Sequence, residues 1–376
     1  MMRPETEAEL AELIAGAEGT LRIQGGGTRP VGRVCDGGLV STAGLSGVSL
    51  YEPGALTLVA GAGTPVAEVE KALAAEGQRL AFEPMDHRGL LGTSGEPTIG
   101  GVVAANVSGP RRVAVGACRD FLLGARFVDG NGTVLKNGGR VMKNVTGYDL
   151  VKLMAGSWGT LGVITEVSFK VLPVPETRAV ILINGLGTEE AVKAMSAALG
   201  SPFEVTGAAH TPSGVDGHPV TMLRIEGFEQ SVGYRADRLK ELLGGFGEVA
   251  IESDAVKTAA GWKWVRDVEA FHGVEGDVWR ISVKPSDAPE VAQRLNAEKL
   301  LIDWGGGLIW ALMPEGVDVR VRMGNVPGHA TLIRASEETR AKIAPFPPEP
   351  KALEMLSAGL RAKFDPRGIL NSGLMW

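Results

Sequence analysis

The sequence predicts an α+β fold in two domains, and three observations lead to that prediction. The chain has 376 residues, enough for two or three average domains. Helix and strand patterns alternate up to about residue 172, and a second series of different composition follows. Glycine, with 53 residues, is about twice as frequent as usual and gathers between predicted strands and helices. Such clusters indicate backbone that comes close to a ligand.

The first 80 residues predict helices and strands in alternation. Thr6 and Glu9 form a capping box in front of a helix. Residues 21–23 and 56–60 have the apolar character of short strands. Thr64, followed by a proline, predicts the start of a second helix, because threonine caps helices and proline favours their first turn.

Residues 84–125 lack a regular period and predict a long functional segment, because structureless loops of this length are uncommon in compact domains. A hairpin follows, with an Asp-Gly-Asn-Gly turn at residues 129–132. We then predict a helical stretch near residues 146–154 and a strand at residues 163–171, where two faces can be distinguished by alternation.

Prolines at 173 and 175 predict a domain boundary, and six of the seven tryptophans lie beyond residue 200. We assign residues 1–172 to the first domain, 173–345 to an α+β second domain, and 346–376 to a C-terminal segment that contains a helix. The second domain is predicted to contain strands at 179–183, 219–225 and 248–251, helices at 188–199 and 229–243, and a comparable set after residue 277. This pattern suggests two related halves.

Composition and missing motifs exclude several function classes. The net charge of −6 argues against a nucleic-acid partner, and no apolar run approaches the ~18 residues of a membrane span. The acidic start does not resemble a signal peptide, so a cytoplasmic location is expected. Cys35 and Cys118 stand alone, which rules out a disulfide scaffold or a four-cysteine iron–sulfur site in this sequence. P-loop, zincin and nucleophile-elbow motifs are absent, and Pro30 occupies the third glycine position of a Rossmann fingerprint.

Two glycine-rich segments give the strongest functional signal. Residues 25–29 (Gly-Gly-Gly-Thr-Arg) follow a predicted strand, and their amides can turn toward one anion; an ordinary tight turn is the alternative. Residues 98–112 contain many bare amides, and Arg111, Arg112 and Arg119 add positive charge. This combination suits a pyrophosphate, and the alternative is a surface loop with solvated arginines.

These two segments resemble the flavin-binding domain of the vanillyl-alcohol-oxidase family, also called the p-cresol methylhydroxylase-type (PCMH-type) FAD domain. Residues 139–153 and 156–166 are similar to a motif of the D-lactate and glycolate dehydrogenase branch, and residues 364–371 resemble the family's C-terminal return to the flavin. Within that branch, residues 109–112 and 279–282 resemble the FAD-binding E subunits of bacterial glycolate oxidases.

The resemblance implies a fold and an activity. It implies a two-lobed PCMH-type FAD-binding domain with an α+β cap domain, and an FAD-dependent oxidoreductase that acts on CH–OH groups. Such subunits work with a catalytic FAD subunit and an iron–sulfur subunit, convert glycolate to glyoxylate, and reach a membrane through partner subunits. The alternative is a self-sufficient FAD-dependent D-2-hydroxy-acid dehydrogenase, which also acts on a small 2-hydroxy acid.

The resemblance also implies cofactor contacts, position by position. Relatives that bind FAD covalently use a histidine beside the first glycine loop or a cysteine in the second segment. Neither residue stands at those positions in this sequence, so non-covalent FAD is expected. FAD contacts are implied at Gly25, Gly26, Gly27, Thr28, Arg29, Thr98, Ile99, Gly100, Gly101, Asn106, Ser108, Gly109, Arg112, Gly116, Arg119, Asp120, Gly124, Ile164 and Asn371.

Catalytic residues are harder to assign. Catalytic members of the branch carry a histidine-rich metal-binding segment that the five histidines of this sequence do not match, so no metal is expected. Tyr148 and Lys143, in the motif that resembles a flavin-proximal segment, are the candidates for the base and the cation that the reaction needs. Arg266 and Arg280 could bind a carboxylate, or they could be ion-paired surface arginines. An exposed tryptophan-rich cap surface would favour an assembly role, and a closed cap pocket with converging cations would favour catalysis.

Overall fold

A computed structural model describes residues 1–140 and 147–376. In the described residues, the first part of the chain contains a five-stranded sheet, a two-stranded parallel sheet and a short two-stranded antiparallel sheet formed by residues 78–79 and 172–173. Its helices are α1 (Glu7–Ala15), α2 (Val66–Ala75), α3 (Arg88–Leu91), α4 (Ile99–Ala104), α5 (Arg112–Val115), α6 (Cys118–Phe121) and α7 (Leu150–Met154). Its strands are β1 (Leu21–Gln24), β2 (Gly38–Ser41), β3 (Val48–Glu52), β4 (Thr57–Gly61), β5 (Gln78–Arg79), β6 (Leu122–Val128), β7 (Val134–Gly138), β8 (Val163–Lys170) and β9 (Leu172–Pro173).

The structure confirms the predicted N-cap of α1 but not that of α2. The Thr6 hydroxyl accepts a hydrogen bond from the Glu9 amide at 3.2 Å, as predicted. The prediction that Thr64 caps α2 is wrong, because Pro65 occupies that position. The buried Thr64 hydroxyl instead donates to the Gly61 carbonyl oxygen at 2.7 Å and fixes the turn between β4 and α2.

The five-stranded sheet runs in the order β3-β4-β8-β6-β7, so β8 is central. The two faces predicted for this strand are both largely buried. Val167 and Phe169 lie on one face, and Ile164 and Ser168, on the other, are also buried. Both faces are covered because helix α4 also packs against β8.

The second part of the chain is built on one eight-stranded antiparallel sheet in the described residues. Its helices are α8 (Thr188–Leu199), α9 (Glu229–Leu243), α10 (Ala255–Arg266), α11 (Ala288–Leu295) and α12 (Val319–Met323). Its strands are β10 (Thr177–Asn184), β11 (Gly207–Thr211), β12 (Val220–Gly227), β13 (Val249–Glu252), β14 (Asp277–Val283), β15 (Lys299–Asp303), β16 (Leu308–Met313) and β17 (Gly328–Arg334).

The strand order confirms the suggestion of two related halves. The sheet runs β13-β10-β12-β11-β15-β16-β14-β17, so each half is a βαββαβ unit with its first strand inside and its last strand at the edge. The halves join where β11 pairs with β15, at His210 and Ile302. The strand β11 and the helix α10, which follows the first half, were not predicted from the sequence.

One hydrophobic cluster contains residues of both parts of the chain, and a second cluster lies within the second part. One face of the eight-stranded sheet packs against its own helices through residues such as Ile181, Leu223 and Ile281. On the other face, Trp310 and Leu312 belong to the same buried cluster as residues of the first part. The second part therefore lies against the first through a sheet face.

The C-terminal segment returns to the first part. Helices α13 (Glu337–Lys342) and α14 (Lys351–Phe364) follow β17. The Leu21 amide then donates to the Ile369 carbonyl oxygen at 2.7 Å, and the Asn371 amide donates to the Leu21 carbonyl oxygen at 2.9 Å. The tail thus extends the small sheet beside β1. None of the helices described is both long and apolar enough to cross a lipid bilayer.

Candidate cofactor site

A cleft of about 330 Å³ opens in the first part of the chain, beside the small sheet. The glycine loop after β1 forms one wall, and the start of α4, with Thr98, Gly100 and Gly101, forms another. Residues Trp158 and Ile164 complete it together with the C-terminal tail. The cleft therefore brings together segments that are far apart in the sequence.

The two glycine-rich segments pack directly on each other. A Cβ atom at Gly26 would lie 1.5 Å from the Glu96 carbonyl oxygen, and one at Gly25 would lie 2.3 Å from the Thr98 hydroxyl oxygen. Gly27 has a φ of +70°, which side-chain-bearing residues rarely adopt. This packing favours the anion-cradle interpretation over an ordinary tight turn, because bare backbone on both segments lines the same cleft.

The charge of the cleft is strongly positive although the chain carries a net charge of −6. Of the residues described, arginines 22, 29, 33 and 340 line it, and no aspartate or glutamate does. Arg29 is anchored through its Nη1, which donates to the Gly101 carbonyl oxygen at 2.9 Å. Burial lowers the pKa of Arg29 to about 10, so its guanidinium stays charged at neutral pH. The lining fits a multiply charged anion such as a pyrophosphate.

His87 is a neighbour of this site that the sequence analysis missed. The buried imidazole accepts a hydrogen bond at Nδ1 from Arg29 Nε, at 3.2 Å. Burial, together with the charge of Arg29, holds the pKa of His87 well below its ordinary value. His87 is therefore neutral at pH 7. Its partner Arg29 lies 58 positions away in the sequence, so no local pattern links the two residues.

Asn371 fastens the C-terminal tail to the cleft. Its Oδ1 accepts from the Ile23 amide at 2.7 Å, and its Nδ2 donates to the Trp158 carbonyl oxygen at 2.8 Å. The side chain is buried, so both contacts replace hydrogen bonds to water. One amide thereby joins β1, the Trp158 turn and the tail.

Replacing Asn371 with alanine is expected to lower the free energy of unfolding by about 1–3 kcal/mol, because two partly buried backbone groups lose their partner. The affinity for FAD should fall about tenfold, since the tail lines the cleft. Thermal unfolding and FAD titration measure the two effects. Asn131→Ala, on the exposed hairpin turn, is the control that should change neither.

The structure brings ten of the implied FAD contacts to the cleft and places nine elsewhere. Those at the cleft are Gly25, Gly26, Gly27, Thr28, Arg29, Thr98, Gly100, Gly101, Ile164 and Asn371. Those outside its lining are Ile99, Asn106, Ser108, Gly109, Arg112, Gly116, Arg119, Asp120 and Gly124.

Several of the residues outside the cleft shape the loop that follows α4. The Asn106 Oδ1 accepts from the Arg119 amide at 3.1 Å, and the Ser108 hydroxyl accepts from the Cys118 amide at 2.9 Å. The Asp120 carboxylate accepts from the Ala117 amide at 2.9 Å. These contacts give the segment a defined path without a ligand.

Only one of the two catalytic candidates lies in the part of the chain that the structure describes. Tyr148 is 88% exposed and does not line the cleft. Lys143 lies outside the described residues.

Two arginines that form no salt bridge with any described residue meet at the junction between the two parts. The guanidinium carbons of Arg112 and Arg280 lie 4.5 and 5.1 Å from the centre of the Trp304 ring, a cation–π distance. Trp304 is fixed because its Nε1 donates to the Gly109 carbonyl oxygen at 3.1 Å. Arg266, by contrast, pairs with Asp267 at 2.8 Å, which matches the ion-pair interpretation.

Asp303, next to this cluster, is a buried acid. Its carboxylate accepts from the Trp304 amide at 2.7 Å, yet burial raises its pKa to about 7. The folded protein holds this proton more tightly than the unfolded chain, whose aspartates have a pKa near 3.8. The stability that Asp303 contributes is thus present below about pH 4 and is lost as the pH rises to about 7.

Asp303→Asn is expected to remove that pH dependence. The variant should match the original protein near pH 4 and exceed its free energy of unfolding by about 1–3 kcal/mol above pH 7, because a neutral amide replaces a buried charge. Urea denaturation at pH 4, 6 and 8 measures the difference. Asp237→Asn, exposed on α9, is the control, and an equal gain in both variants would contradict the assignment.

A network of buried salt bridges joins the two parts. Arg224 on β12 donates from both terminal nitrogens to Glu83 of the first part, at 2.9 Å each. Glu226 on the same strand pairs with Arg79 at 2.9 Å and with Arg111. Burial alone would raise the pKa of Glu83, but the surrounding arginines hold it below its ordinary value. Glu83 is therefore ionised, and the ion pairs of this network join the second part to the first.

The second part does not display the tryptophan surface that would favour assembly. Trp262, Trp279 and Trp310 are buried, and Trp264 and Trp304 are half-buried. Cations do converge at the junction, where Arg112 and Arg280 meet. Among the residues that the structure describes, no three His, Cys, Asp or Glu side chains lie close enough to bind a metal.

Comparison with known sequences links the chain to flavoproteins. The family model described as "FAD binding domain" matches residues 1–138. The glycolate oxidase subunit GlcE of Escherichia coli strain K12 is 37% identical over 360 residues, which cover 95% of this chain and 92% of that protein. The glycolate oxidase subunit GlcD of Bacillus subtilis strain 168 is 44% identical over 85 residues, or 23% of this chain and 18% of that one. The mitochondrial D-2-hydroxyglutarate dehydrogenase of Rattus norvegicus is 32% identical over 55% of this chain and 39% of its own length.

Comparison with solved structures shows that the fold is shared across most of the chain. An alkyldihydroxyacetonephosphate synthase superposes with a TM-score of 0.69 at 18% identity, covering 98% of this chain and 76% of that one. A protein called FgChi7B gives a TM-score of 0.67 at 16% identity, covering 99% of this chain and 90% of that one. At these identities the likeness concerns the fold alone.

Proposed function

Because the chain belongs to the family of the glycolate oxidase subunit GlcE, FAD-binding oxidoreductases of the PCMH type, we propose that it is the FAD-binding subunit of a glycolate oxidase complex. The observation that carries the proposal is the cleft, where two glycine segments and four arginines meet without a carboxylate. This lining matches the two negative charges and the close backbone approach that an FAD pyrophosphate requires.

The residues of the cleft have distinct tasks in this proposal. FAD held here would supply a flavin that can take up electrons and pass them on within the complex. The amides of the two glycine segments and Arg29 hold the phosphates, and Asn371 keeps the tail against the cleft. Neutral His87 orients Arg29 by accepting a hydrogen bond from its Nε–H group.

The cofactor is bound non-covalently in this proposal. Cys35 lines the cleft and Cys118 is buried beside the second glycine segment. Burial raises the pKa of both thiols, which keeps them protonated and unreactive. Acid precipitation of the loaded protein should release all of its FAD into the supernatant, and flavin retained on the pellet would contradict this point.

The partners are a catalytic FAD subunit and an iron–sulfur subunit, which receives the electrons. An iron–sulfur cluster needs about four cysteine ligands, and this sequence has two, both buried. Helix α14 supports contact with another subunit, because none of its residues is buried and Leu353, Leu356 and Leu360 form an exposed apolar stripe. We place the assembly in the cytoplasm, with any membrane contact made by the partners.

A second function is favoured by one specific observation. Arg112 and Arg280 form no salt bridge with a carboxylate among the described residues, and both lie against Trp304 at the junction. Two unpaired guanidinium groups of this kind could bind an anionic substrate. This geometry favours a self-sufficient D-2-hydroxy-acid dehydrogenase, in which the substrate carboxylate binds Arg280.

Anaerobic reduction distinguishes the two functions. The FAD-loaded chain is mixed with glycolate, alone and then with the partner subunits, and flavin absorbance is followed. A flavin that stays oxidised until the partners are added supports the complex subunit. Bleaching of the isolated chain, which Arg280→Met slows and the ion-paired control Arg266→Met does not, supports the self-sufficient dehydrogenase.

A further inference from the structure

Arg340 reaches the cofactor cleft from outside the first domain. The rest of the lining comes from residues 22–164 and the C-terminal tail, whereas Arg340 lies on α13, just after β17. Its Nη1 donates to the Pro30 carbonyl oxygen at 3.0 Å, across 310 positions of sequence. The side chain therefore bridges α13 and the end of the glycine loop.

The Arg340 guanidinium is incompletely satisfied. Its Nε is buried and has no hydrogen-bond partner in the part of the chain that the structure describes. No acidic residue lines the cleft that the guanidinium enters. A buried N–H without a partner costs about 1–3 kcal/mol, and a charged donor costs more. An anion bound in the cleft would accept a hydrogen bond from this group and remove that cost.

Helix α13 holds Arg340 in place. The Ser336 hydroxyl caps it by accepting from the Thr339 amide at 3.2 Å, and Thr339 is buried. The Leu332 amide donates to the Pro345 carbonyl oxygen at 2.8 Å, which ties the segment back to β17. Arg340 thus projects from a fixed base rather than from a free surface loop.

We propose that Arg340 is a phosphate-binding residue of this cleft and that it contacts the pyrophosphate of FAD. The inference rests on the proposed function, because it takes FAD as the occupant. Guanidinium and phosphate form charge-assisted, two-pronged hydrogen bonds, and three further arginines line the same cleft. Cofactor binding therefore ties helix α13, which follows β17, to the glycine loop of the first domain.

Titration of FAD into the full-length apo-protein tests the inference. In Arg340→Met the dissociation constant for FAD should rise about 10- to 100-fold. Arg340→Lys should lie between that variant and the original protein, because lysine keeps the positive charge but lacks the planar pair of donors of a guanidinium. Lys342→Met is the matched control: Lys342 lies on the same helix, but it is exposed, pairs with Glu338, and does not line the cleft. The affinity of the original protein should also fall more steeply with salt than that of Arg340→Met.

The outcomes distinguish a failure of the inference about Arg340 from a failure of the proposed function. An unchanged FAD affinity and salt dependence in Arg340→Met would overturn the inference and leave the proposed function standing. Failure of the original protein to bind FAD would contradict the proposed function itself. If Arg340→Met does not fold, the Arg340→Lys variant decides, since equal affinity of Arg340→Lys and the original protein would also count against the inference.

Discussion

Gly26→Ala is expected to weaken FAD binding at least about 100-fold, equivalent to about 2.7 kcal/mol. A Cβ atom at this position would lie 1.5 Å from the Glu96 carbonyl oxygen, so one of the two packed segments must move. Movement of either segment takes backbone amides away from the phosphates, and hydrogen bonds to charged groups contribute about 1.5–3 kcal/mol each. Binding is measured by FAD titration, and folding by circular dichroism.

Gly54→Ala is the matched control for this prediction. Gly54 belongs to the first domain, and a Cβ atom there would meet no other atom within 4 Å. Its FAD affinity should equal that of the original protein. If Gly26→Ala remains folded and binds FAD as tightly as Gly54→Ala, the glycine loop is not the cradle of the cofactor.

Arg224→Met should lower the free energy of unfolding by about 3–5 kcal/mol, because it leaves Glu83 ionised at the domain junction without its main partner. The Arg224 side chain is 2% exposed and also donates to the Thr206 hydroxyl and carbonyl oxygens. The loss should appear as an earlier first transition in urea denaturation, since the network joins the two parts of the chain.

Two further variants identify the cause of this loss. Arg224→Met combined with Glu83→Gln should recover part of the stability, because the uncompensated carboxylate is gone. Arg238→Met, which breaks an exposed pair with Glu241 on α9, should cost less than about 1 kcal/mol. Equal losses for Arg224→Met and Arg238→Met would show that the buried network does not hold the domains together.

The sequence is most informative where periodicity is strong and the ends are marked. Helices α8 and α9 occupy the predicted residues 188–199 and 229–243, each followed by glycine. The strand β11, Gly-Ala-Ala-His-Thr, escapes prediction because it is short and every residue is buried, so no alternation shows. In α14 the apolar stripe was visible, but the sequence could not show that it stays exposed.

In the candidate site too, features that are local in sequence could be predicted, and contacts between distant segments could not. Bare amides and nearby arginines made residues 25–29 and 98–101 recognisable, because a phosphate cradle is local in sequence. The contacts of Arg29 with His87, Trp304 with Gly109, and Arg340 with Pro30 join segments 58, 195 and 310 positions apart. Only the packing of the second domain and the tail on the first brings these groups together, so no local pattern could reveal them.

Titration of FAD into the purified, cofactor-free chain tests the central claim most directly. The account predicts saturable binding of one FAD per chain, with an affinity that falls as salt rises, because arginines line the cleft without a competing carboxylate. Absence of binding, or binding that Gly26→Ala leaves unchanged, would contradict the assignment of this cleft to the cofactor.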